Sequence, residues 1–419
     1  MTLIKTSLLS LIATIFKISY GLVLNKLLAV YVGPSGVALV GQFQSVQSGV
    51  SGIATAGLGQ GLTKYLAEYR GDEQKKSSVF ATAFKLICWL LLPVAAIIFF
   101  FADTFSIQLF QSTEYTPWLK GLAISLIPAA IGALLVASLN GLGEIRNLTM
   151  VGVLSSCLGI VLVLVCVPLW GASGVVVGLL LTPVLVVVMA AWYLGKSKLF
   201  SWGWLSENVN KVDTKKLGKF TLMAVVSAVV VPLSHILIRN YLNDTLSIEA
   251  AGLWTGMWRI SEAYLMIITM TLSVYYLPRL ASLTQKKKII TEMKKGYIVI
   301  MPLVISSSCA MFLLRDNIIE ILFTNDFIAM RELFFWQFLG DILKIASFLM
   351  GYLLIAKGMA IIFIIKEVSL SVLFVFLVYF FVSDVGLIGV TYAYVGVYLV
   401  NFIWLCLIMR KYFKGHEYE

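Results

Sequence analysis

The sequence predicts an all-α membrane protein with twelve transmembrane helices in two parallel six-helix bundles. Three observations support this fold class: the apolar composition, the length of the apolar stretches and an internal repeat. Apolar residues make up 60% of the 419 residues and charged residues only 13%, whereas soluble domains average roughly 45–50% and 25%. So much apolar side chain cannot be buried in one soluble core, and the bilayer must therefore act as the solvent.

Each apolar stretch is long enough to cross a bilayer as a helix. About 20 helical residues span the ~30 Å hydrocarbon core, and the stretches are 20 to 27 residues long. The first stretch lacks a small-residue cleavage site, so we expect a retained helix and not a signal peptide. In chain order the predicted segments are 6–31, 36–60, 79–101, 118–140, 148–168, 172–194, 219–241, 250–276, 295–314, 332–356, 360–382 and 386–409.

The distribution of lysine and arginine predicts that both termini are cytoplasmic. With the N-terminus placed in the cytoplasm, 22 of these residues fall on the cytoplasmic side of the spans and 4 on the opposite side. Cytoplasmic loops carry such an excess of positive charge. The net charge of +11 is therefore interpreted as a topology signal, and no nucleic-acid partner is expected.

An internal repeat is visible when the chain is shifted against itself by 215 residues. Matching residues recur at this nearly constant offset, and a short aromatic loop between the third and fourth segments has a counterpart between the ninth and tenth. The clearest matches are Gly143 with Gly358, Gly171 with Gly386, and Gly174 with Gly389.

The repeat predicts two halves with the same orientation, because each half contains an even number of helices. Such halves are related by an axis along the membrane normal, and their binding site is expected near the midplane where the halves meet. The predicted domains are an N-lobe at 1–194, a cytoplasmic linker at 195–218 and a C-lobe at 219–419.

Polar side chains within the spans are the candidate functional groups. An ionised residue at a helix centre costs about 2.5–3.5 kcal/mol on insertion scales, so it usually faces the protein interior. On the eighth segment, steps of three and four place a polar stripe on one face, and the 215-residue shift aligns Gln44 and Gln47 with that stripe. Two inward polar faces predict a shared cavity. The stripe consists of Thr255, Arg259, Glu262, Met266, Thr269, Ser273 and Tyr276.

The balance of charge within the spans favours an anionic ligand. Lys17 and Lys85 have no acid nearby on their segments, and an unpaired lysine in a low-dielectric cavity suits a phosphate or pyrophosphate. Arg259 lies one turn from Glu262, and Lys344 one turn from Asp341. Each of these two cations either binds substrate or only neutralises the neighbouring acid. Lys26, Lys120 and Arg239 lie nearer the span ends and are expected to snorkel. The predicted substrate-binding residues are Lys17, Lys85, Arg259, Lys344, Gln44 and Gln47.

Glu262, Asp341 and Glu367 are the acids available within the spans for coupling to protons or sodium ions. The chain has no GxxxxGK[ST] loop, so ATP is not expected to be the direct energy source. Its five cysteines form no CxxC pair and it has only two histidines. No metal site and no cofactor are therefore expected.

Several stretches resemble Wzx-type flippases, the O-antigen and enterobacterial common antigen (lipid III) translocases, along essentially the whole chain. No one stretch is a sharp signature, and their shared order carries the resemblance. They are FKISYGLVLNKLLAVYVGPSG with Lys17 and Lys26, GLTKYLAEY, KFTLMA, SVYYLPRLASLT, LLRDNIIEILF, NDFIAMRELFFWQFLGDILK and KEVS.

The resemblance implies the polysaccharide branch of the multidrug/oligosaccharidyl-lipid/polysaccharide exporter (MOP) superfamily, with two six-helix bundles around a cationic cavity. It also implies an undecaprenyl-pyrophosphate-linked oligosaccharide as substrate, moved across the bacterial inner membrane by alternating access. A polymerase and a chain-length regulator of the same pathway are the implied protein partners.

Three alternatives were weighed against this interpretation. A lipid II or other polysaccharide-lipid flippase is the nearest, although such proteins usually carry more helices. A drug or cation antiporter of the same superfamily would require an acidic cavity. A glycan polymerase or ligase would need a sizeable outer loop, whereas the longest ones here, 102–117 and 315–331, have 16 and 17 residues. An enzyme is therefore not expected.

Overall fold

The computed structural model describes residues 3–55, 57–69, 71–207 and 211–415, and within these ranges the regular secondary structure is all helical, with no strand. The predicted all-α architecture is thereby confirmed. Residues 208–210, which belong to the predicted linker, lie outside the described residues, and so does the side chain of Ser273.

The described ranges contain fourteen α-helices. Short 3-10 helices lie at Trp202–Ser206, Asn325–Leu333 and Gly386–Ile388, and a π-helical turn follows α8 at Leu272–Tyr276. In chain order the α-helices are α1 (Leu3–Thr55), α2 (Leu58–Glu68), α3 (Glu73–Phe100), α4 (Ala102–Phe110), α5 (Thr116–Gly141), α6 (Ile145–Gly195), α7 (Lys211–Thr245), α8 (Ile248–Thr271), α9 (Leu277–Ser282), α10 (Lys286–Leu313), α11 (Arg315–Leu322), α12 (Phe334–Ala356), α13 (Ala360–Val385) and α14 (Gly389–Gly415).

Eight stretches of helix in the described part of the chain are long and apolar enough to cross a membrane, and the protein is a multi-pass membrane protein. Three of the eight each contain two predicted segments, because α1, α6 and the pair α13–α14 run through an interruption. The number of twelve spans and the cytoplasmic termini stay predictions. The eight are Ile12–Thr55, Glu73–Phe100, Thr116–Gly141, Ile145–Gly195, Val225–Thr245, Lys286–Leu313, Asn325–Ala356 and Ala360–Phe413.

The interruptions occur at glycines with a backbone that other residues rarely adopt. In α1 the helix breaks at Gly33 (φ 71°), immediately before Pro34, and in α6 it breaks at Gly171 (φ 54°). Glycine reaches positive φ without steric cost, and proline cannot donate the next helical hydrogen bond. The gaps between the first and second and between the fifth and sixth predicted segments are therefore sharp kinks, at which one helix ends and the next begins.

The glycines matched by the 215-residue shift share their conformations. Gly143 and Gly358 both have positive φ, at 78° and 66°, and so do Gly171 and Gly386, at 54° and 67°. The third pair, Gly174 and Gly389, shares a close approach: a Cβ atom at either position would overlap the backbone of the residue eight positions earlier. The repeat predicted from sequence therefore recurs in the local backbone of both halves.

The chain divides into two compact units. The N-terminal unit comprises Met1–Val32 and Leu39–Ile236, and the C-terminal unit comprises Gly33–Ala38 and Leu237–Glu419. Six residues after the α1 break thus belong to the C-terminal unit. The predicted domain limits, with the linker at 195–218, stay a prediction.

Each unit also contains short helices that were not separated in the predicted segments. The amphipathic α2 buries Leu58, Leu62 and Leu66. Because α1 ends at Thr55, the predicted second segment, 36–60, ends five residues too late. The C-terminal unit has two clusters of buried apolar residues. The cluster near Leu349 includes residues of α12, and the cluster near Trp254 joins α7, α8, α13 and α14. These clusters hold the helices that carry the polar residues described next.

Candidate functional site

The polar centre of the C-terminal unit is the carboxylate of Asp341, on α12. Its side chain is fully buried. Oδ2 accepts hydrogen bonds from Ser261 Oγ at 2.6 Å and from the Tyr264 hydroxyl at 2.8 Å, both on α8, and Oδ1 accepts one from the Tyr394 hydroxyl on α14 at 2.8 Å. Buried polar and charged groups persist where hydrogen bonds compensate their lost hydration. Three hydroxyl groups from two other helices provide that compensation.

Gly340 allows α14 to lie close enough to α12 for the Tyr394 bond. A Cβ atom at position 340 would overlap the ring of Tyr394. Because glycine has no side chain, the ring rests against the α12 backbone and its hydroxyl reaches the next residue, Asp341. Gly340 therefore permits the close contact with Tyr394, and Asp341 accepts the hydrogen bond from its hydroxyl.

The hydrogen bonds around the carboxylate continue to further side chains. Gln337 Nε2 donates to Ser261 Oγ at 3.1 Å, and the Tyr264 hydroxyl lies 3.2 Å from Ser308 Oγ on α10. Within the described side chains, Gln337 Oε1 and Asn401 Oδ1 are buried without a hydrogen-bond partner. Such atoms in native structures call for an explanation, and both could accept a bond from water or coordinate a cation.

Lys344, one turn after Asp341, lies among aromatic rings. Its Nζ is 5.1 Å from the ring centre of Trp258, 5.7 Å from that of Tyr398 and 5.9 Å from that of Tyr394. A cation over aromatic faces at this range is attracted by the ring quadrupole, more strongly when it is desolvated. Asp341 takes its hydrogen bonds from hydroxyls and forms none with Lys344 in the described structure, although the two charges lie close enough to act on one another.

Glu262 and Arg259 lie near one another on α8. Glu262 is exposed and accepts a hydrogen bond from Trp258 Nε1 at 2.8 Å. Arg259 is half-buried and close enough for the Glu262 charge to act on it. Trp258 thus contacts the predicted coupling acid Glu262 through its nitrogen and the predicted substrate cation Lys344 through its rings.

Arg239 does not snorkel, contrary to the expectation from its position near a span end. It is 6% exposed, its Nε donates to Thr255 Oγ1 at 3.0 Å, and its guanidinium lies 5.5 Å from the Trp254 ring centre. A polar acceptor and an aromatic face inside the unit replace the water that snorkelling would have provided.

Glu367 is paired locally. The neighbouring Lys366 is only 5% exposed, and its Nζ lies 3.1 Å from Glu367 Oε1. Adjacent residues differ by ~100° around a helix, but the long lysine stem reaches across that angle. Of the three predicted coupling acids, Asp341 is thus the fully buried one that is held by neutral hydroxyls.

The polar stripe predicted on α8 ends before Tyr276. The π-helical turn at Leu272–Tyr276 adds a residue to the helical turn and changes which face the following side chains occupy. Tyr276 is buried in an apolar cluster, and its hydroxyl donates to the Leu349 carbonyl at 3.3 Å. Its expected place on a polar face was wrong, because the prediction assumed an unbroken α-helix.

In the N-terminal unit, Lys17 lines a cavity of about 380 Å³ whose mostly apolar lining also carries several hydroxyl groups. Lys17 is exposed, and two other lining residues, Tyr20 and Ser155, have buried hydroxyl oxygens without a hydrogen-bond partner in the described structure. A cavity of this size is in the range of small-molecule sites. The complete lining is Ala13, Thr14, Lys17, Tyr20, Leu148, Gly152, Ser155, Ser156, Thr182 and Val186.

The other candidates in the N-terminal unit make intramolecular contacts. Lys85 Nζ donates to the Glu207 carbonyl at 2.5 Å, next to the 3-10 helix Trp202–Ser206. Gln47 Nε2 lies 3.4 Å from the Leu179 carbonyl, and Gln44 is half-buried one turn earlier. Lys85 therefore holds the segment that follows α6, a role that its place in the third segment did not suggest.

A second cavity in the N-terminal unit is almost wholly apolar. It measures about 220 Å³ and is lined by residues including Val46, Ile98 and Leu233. The two cavities differ in chemistry: only the one at Lys17 carries a charged side chain among its lining residues.

Sequence reasoning missed several residues of the two polar sites. Ser261 and Tyr264 flank the α8 stripe and were not assigned to it. On α14, the spacing of four and three between Tyr394, Tyr398 and Asn401 marks a polar face that the sequence could have revealed. Tyr20 lies three residues after Lys17, so helical spacing could have placed it on the same face. Among the residues whose side chains are described, no group of three or more His, Cys, Asp or Glu could hold a metal ion.

Comparisons with known proteins define the family and the fold. The model of the family described as polysaccharide biosynthesis protein matches residues 3–284. Lipid III flippases of Escherichia coli (strain K12) and Shigella flexneri are each 34% identical over 406 residues, covering 97% of this chain and 98% of the relative.

Solved structures of a multidrug resistance MATE family transporter of the MOP superfamily are similar in fold. Its inward-facing conformation gives a TM-score of 0.78 at 17% identity, covering 97% of this chain and 96% of that one. Its outward-facing conformation gives 0.74 at 17% identity, covering 98% and 95%. The chain has a MOP-type fold and belongs to the polysaccharide biosynthesis protein family.

Proposed function

We propose that this protein is a flippase that moves an undecaprenyl-pyrophosphate-linked oligosaccharide across the bacterial inner membrane by alternating access. The observation that carries the proposal is the similarity over 97% of the chain to proteins named Lipid III flippase. The N-terminal cavity supports it, because Lys17 is the charged residue of its lining and no acid lines it. Such a cavity suits an anionic head group and not a cationic drug.

We assign the polar head of the substrate to Lys17 and Arg259, with Gln44 and Gln47 as uncharged contacts. Lys17 is exposed beside a cavity whose lining carries hydroxyl groups, and Arg259 is half-buried on the polar face of α8. A guanidinium or ammonium group donates charge-assisted hydrogen bonds to phosphate oxygens. Lys85 and Lys344, also predicted to bind substrate, are engaged with a backbone carbonyl and with aromatic rings, so we assign them positioning roles.

We assign ion coupling to Asp341, with a proton or a sodium ion as the coupled ion. Its carboxylate joins α8, α12 and α14 through hydroxyl groups, so a change in its charge alters bonds to two other helices at once. A buried ionisable residue in a membrane protein is by default a functional candidate. Of the other two predicted coupling acids, Glu262 is exposed and Glu367 is paired with the adjacent Lys366.

Complementation tests the proposed function. Strains lacking their lipid III flippase or their O-antigen flippase would express this protein, and surface glycan would be measured at matched protein levels. We expect restored glycan in one strain, loss of it with Asp341→Asn, and retention with Ser106→Ala, a matched substitution outside both polar sites. Failure of the wild-type protein in both strains would contradict the proposal.

The nearest alternative is a flippase for lipid II or another polysaccharide lipid. Restoration of growth in a lipid II flippase-depleted strain, with no glycan restored in the other two, would favour it. A drug antiporter would instead raise resistance to cationic dyes. Uptake measured in proteoliposomes with an imposed proton or sodium gradient would identify the coupled ion, and co-purification would test association with a polymerase or chain-length regulator.

A further inference from the structure

The Lys17 cavity is shaped by the bend in α6. The break at Gly171 turns the second limb of α6 back along the first, so that Gly178 lies against Val163 and Gly174 against Cys166. Serines on the first limb and Thr182 on the second then line one cavity together with α1. Three helical faces contribute, and all belong to the N-terminal unit.

Glycine also brings α1 close to α6 at this cavity. A Cβ atom at Gly159 would lie 3.0 Å from Tyr20 Cε2, and one at Gly152 would lie 3.5 Å from the Ala13 Cβ. The Tyr20 ring therefore rests against the α6 backbone, which orients its hydroxyl toward the cavity lining. The cavity is bounded by close-packed helices on these sides.

Two hydroxyl groups in the cavity lack partners. Ser155 is 5% exposed, and no described residue is a hydrogen-bond partner of its Oγ. The Tyr20 hydroxyl faces Thr182 without forming a hydrogen bond of ordinary geometry. Leaving a buried hydroxyl without a partner is unfavourable, so two such hydroxyls in one cavity indicate a site that is completed by something other than the chain.

Two neighbouring hydroxyl groups, those of Ser156 and Thr182, indicate which chemical groups of a ligand could complete the site. Ser156 Oγ donates to the Gly152 carbonyl at 2.8 Å, and Thr182 Oγ1 donates to the Gly178 carbonyl at 2.7 Å. Their protons are therefore used, and their oxygens are left as acceptors toward the cavity. The site thus combines an ammonium group and two hydroxyl donors with two hydroxyl acceptors, and no acid lines it.

We propose that this cavity, with Lys17, Tyr20, Ser155, Ser156 and Thr182, binds an oxyanion carried on a hydroxyl-bearing group. The oxyanion accepts from Lys17, Tyr20 and Ser155, and the hydroxyl groups of the ligand donate to Ser156 and Thr182. A diphosphate next to a sugar and a carboxylate on a sugar both have this chemistry. The inference rests on the proposed function, within which it assigns the N-terminal contact of the glycan head.

Direct binding to the purified full chain tests the proposal with three probes. Farnesyl diphosphate carries the diphosphate without sugar, octyl glucuronide carries a sugar carboxylate, and octyl glucoside is the neutral match of the glucuronide. Affinity would be measured by titration in nanodiscs. We expect at least one anionic probe to bind ten times more tightly than octyl glucoside, and which of the two binds identifies the source of the oxyanion.

Three variants locate the binding. Lys17→Gln is expected to weaken the anionic probe about tenfold or more, and Ser155→Ala and Tyr20→Phe about three- to tenfold each. The matched control is Ser138→Ala on α5, a buried serine whose Oγ donates to its own helix at Leu134, and it is expected to leave the affinity unchanged. Equal binding of the three probes, or wild-type affinity in all three variants, would overturn the proposal.

Thermal stability separates a binding role from a structural one. Ser155→Ala removes a buried hydroxyl without a partner, so the apo protein is expected to keep or raise its Tm while losing affinity. A lower Tm in the apo variant would mean that the hydroxyl is satisfied within the fold and would overturn the proposal. A protein that binds as expected yet restores no surface glycan would contradict the flippase function alone, whereas glycan export with unchanged binding in the variants would contradict the cavity alone.

Discussion

The hydrogen bond from Tyr394 to Asp341 is the sharpest test of the polar centre. Tyr394 is 1% exposed, Asp341 is fully buried, and their oxygens are 2.8 Å apart. In the described structure Tyr394 provides the hydrogen bond to Oδ1, while Oδ2 has two donors. Tyr394→Phe therefore removes one hydrogen bond and leaves the ring packing in place.

The expected magnitude follows from the charge of the acceptor. A hydrogen bond to an ionised group contributes about 1.5–3 kcal/mol, against about 0.5–1.5 kcal/mol for a neutral one. If Tyr394 donates to a carboxylate, a double-mutant cycle with Asp341→Ala should give a coupling energy of about 1.5–3 kcal/mol. The cycle is needed because Tyr394→Phe alone also includes the change in hydration of the hydroxyl between the unfolded and folded states, whereas the cycle isolates the interaction with Asp341.

The assay is the free energy of unfolding of the four cycle members in bilayer-like bicelles. Tyr297→Phe is the matched control, because its hydroxyl donates to the neutral Ala346 carbonyl at 2.6 Å in the same unit. Its coupling to Asp341→Ala should be close to zero. A coupling energy below about 0.5 kcal/mol between Tyr394 and Asp341 would refute the hydroxyl-held carboxylate, and the coupling role proposed for it would lose its structural basis.

Three further predictions concern the helix breaks, the segment after α6 and the start of α3. Gly174→Ala and Gly389→Ala should each destabilise the protein by at least about 1–3 kcal/mol, because the new Cβ overlaps backbone that cannot move aside. Lys85→Met should raise the protease sensitivity of the segment near Glu207, whose carbonyl it binds, while substrate binding stays within about twofold of wild type. At Asp72, the side chain and backbone amide of Lys75 hold the pKa of the carboxyl below its usual value. The ionised carboxylate therefore stabilises the N-terminus of α3 above the ordinary carboxyl pKa, and this stabilisation is lost as pH falls through the lowered pKa. Hydrogen exchange at the first turn of α3 would detect the loss.

Each of these predictions has its own control. Gly351→Ala, where a Cβ atom meets open space, should be tolerated, and equal destabilisation there would contradict the steric argument. Lys85→Arg should keep the tether, so a loss of binding in Lys85→Met but not in Lys85→Arg would assign Lys85 to the substrate instead. Asp72→Asn keeps the side-chain oxygen that accepts from the Lys75 amide but does not titrate, so its exchange should show no such fall in protection.

Much of the backbone plan could be predicted from sequence because it depends on local properties. Apolar stretches of bilayer length indicated where helices lie, and the 215-residue shift matched glycines that share positive φ, such as Gly171 and Gly386. Positive φ is a requirement of one residue and its nearest neighbours. A pattern along the chain is therefore sufficient to find it.

The polar stripe on α8 shows a limit of helical periodicity as a predictor of which face a side chain occupies. Periodicity assigned Arg259 and Tyr276 to one face, but the π-helical turn at Leu272–Tyr276 moved the second into an apolar cluster. A single added residue in a helical turn rotates every following side chain. Nothing in the apolar pattern of that segment indicated it.

By itself, the sequence determined that this is a polytopic α-helical membrane protein with repeated glycine breaks and cations at membrane depth. The tertiary structure decided what those polar groups do. Asp341 is held by hydroxyls 80, 77 and 53 residues away in sequence, and Lys344 lies over aromatic rings without a direct hydrogen bond to Asp341. The physical reason is that helical periodicity specifies which face of a helix is polar, whereas the partner of a buried polar group depends on which other helix packs against that face and at what height.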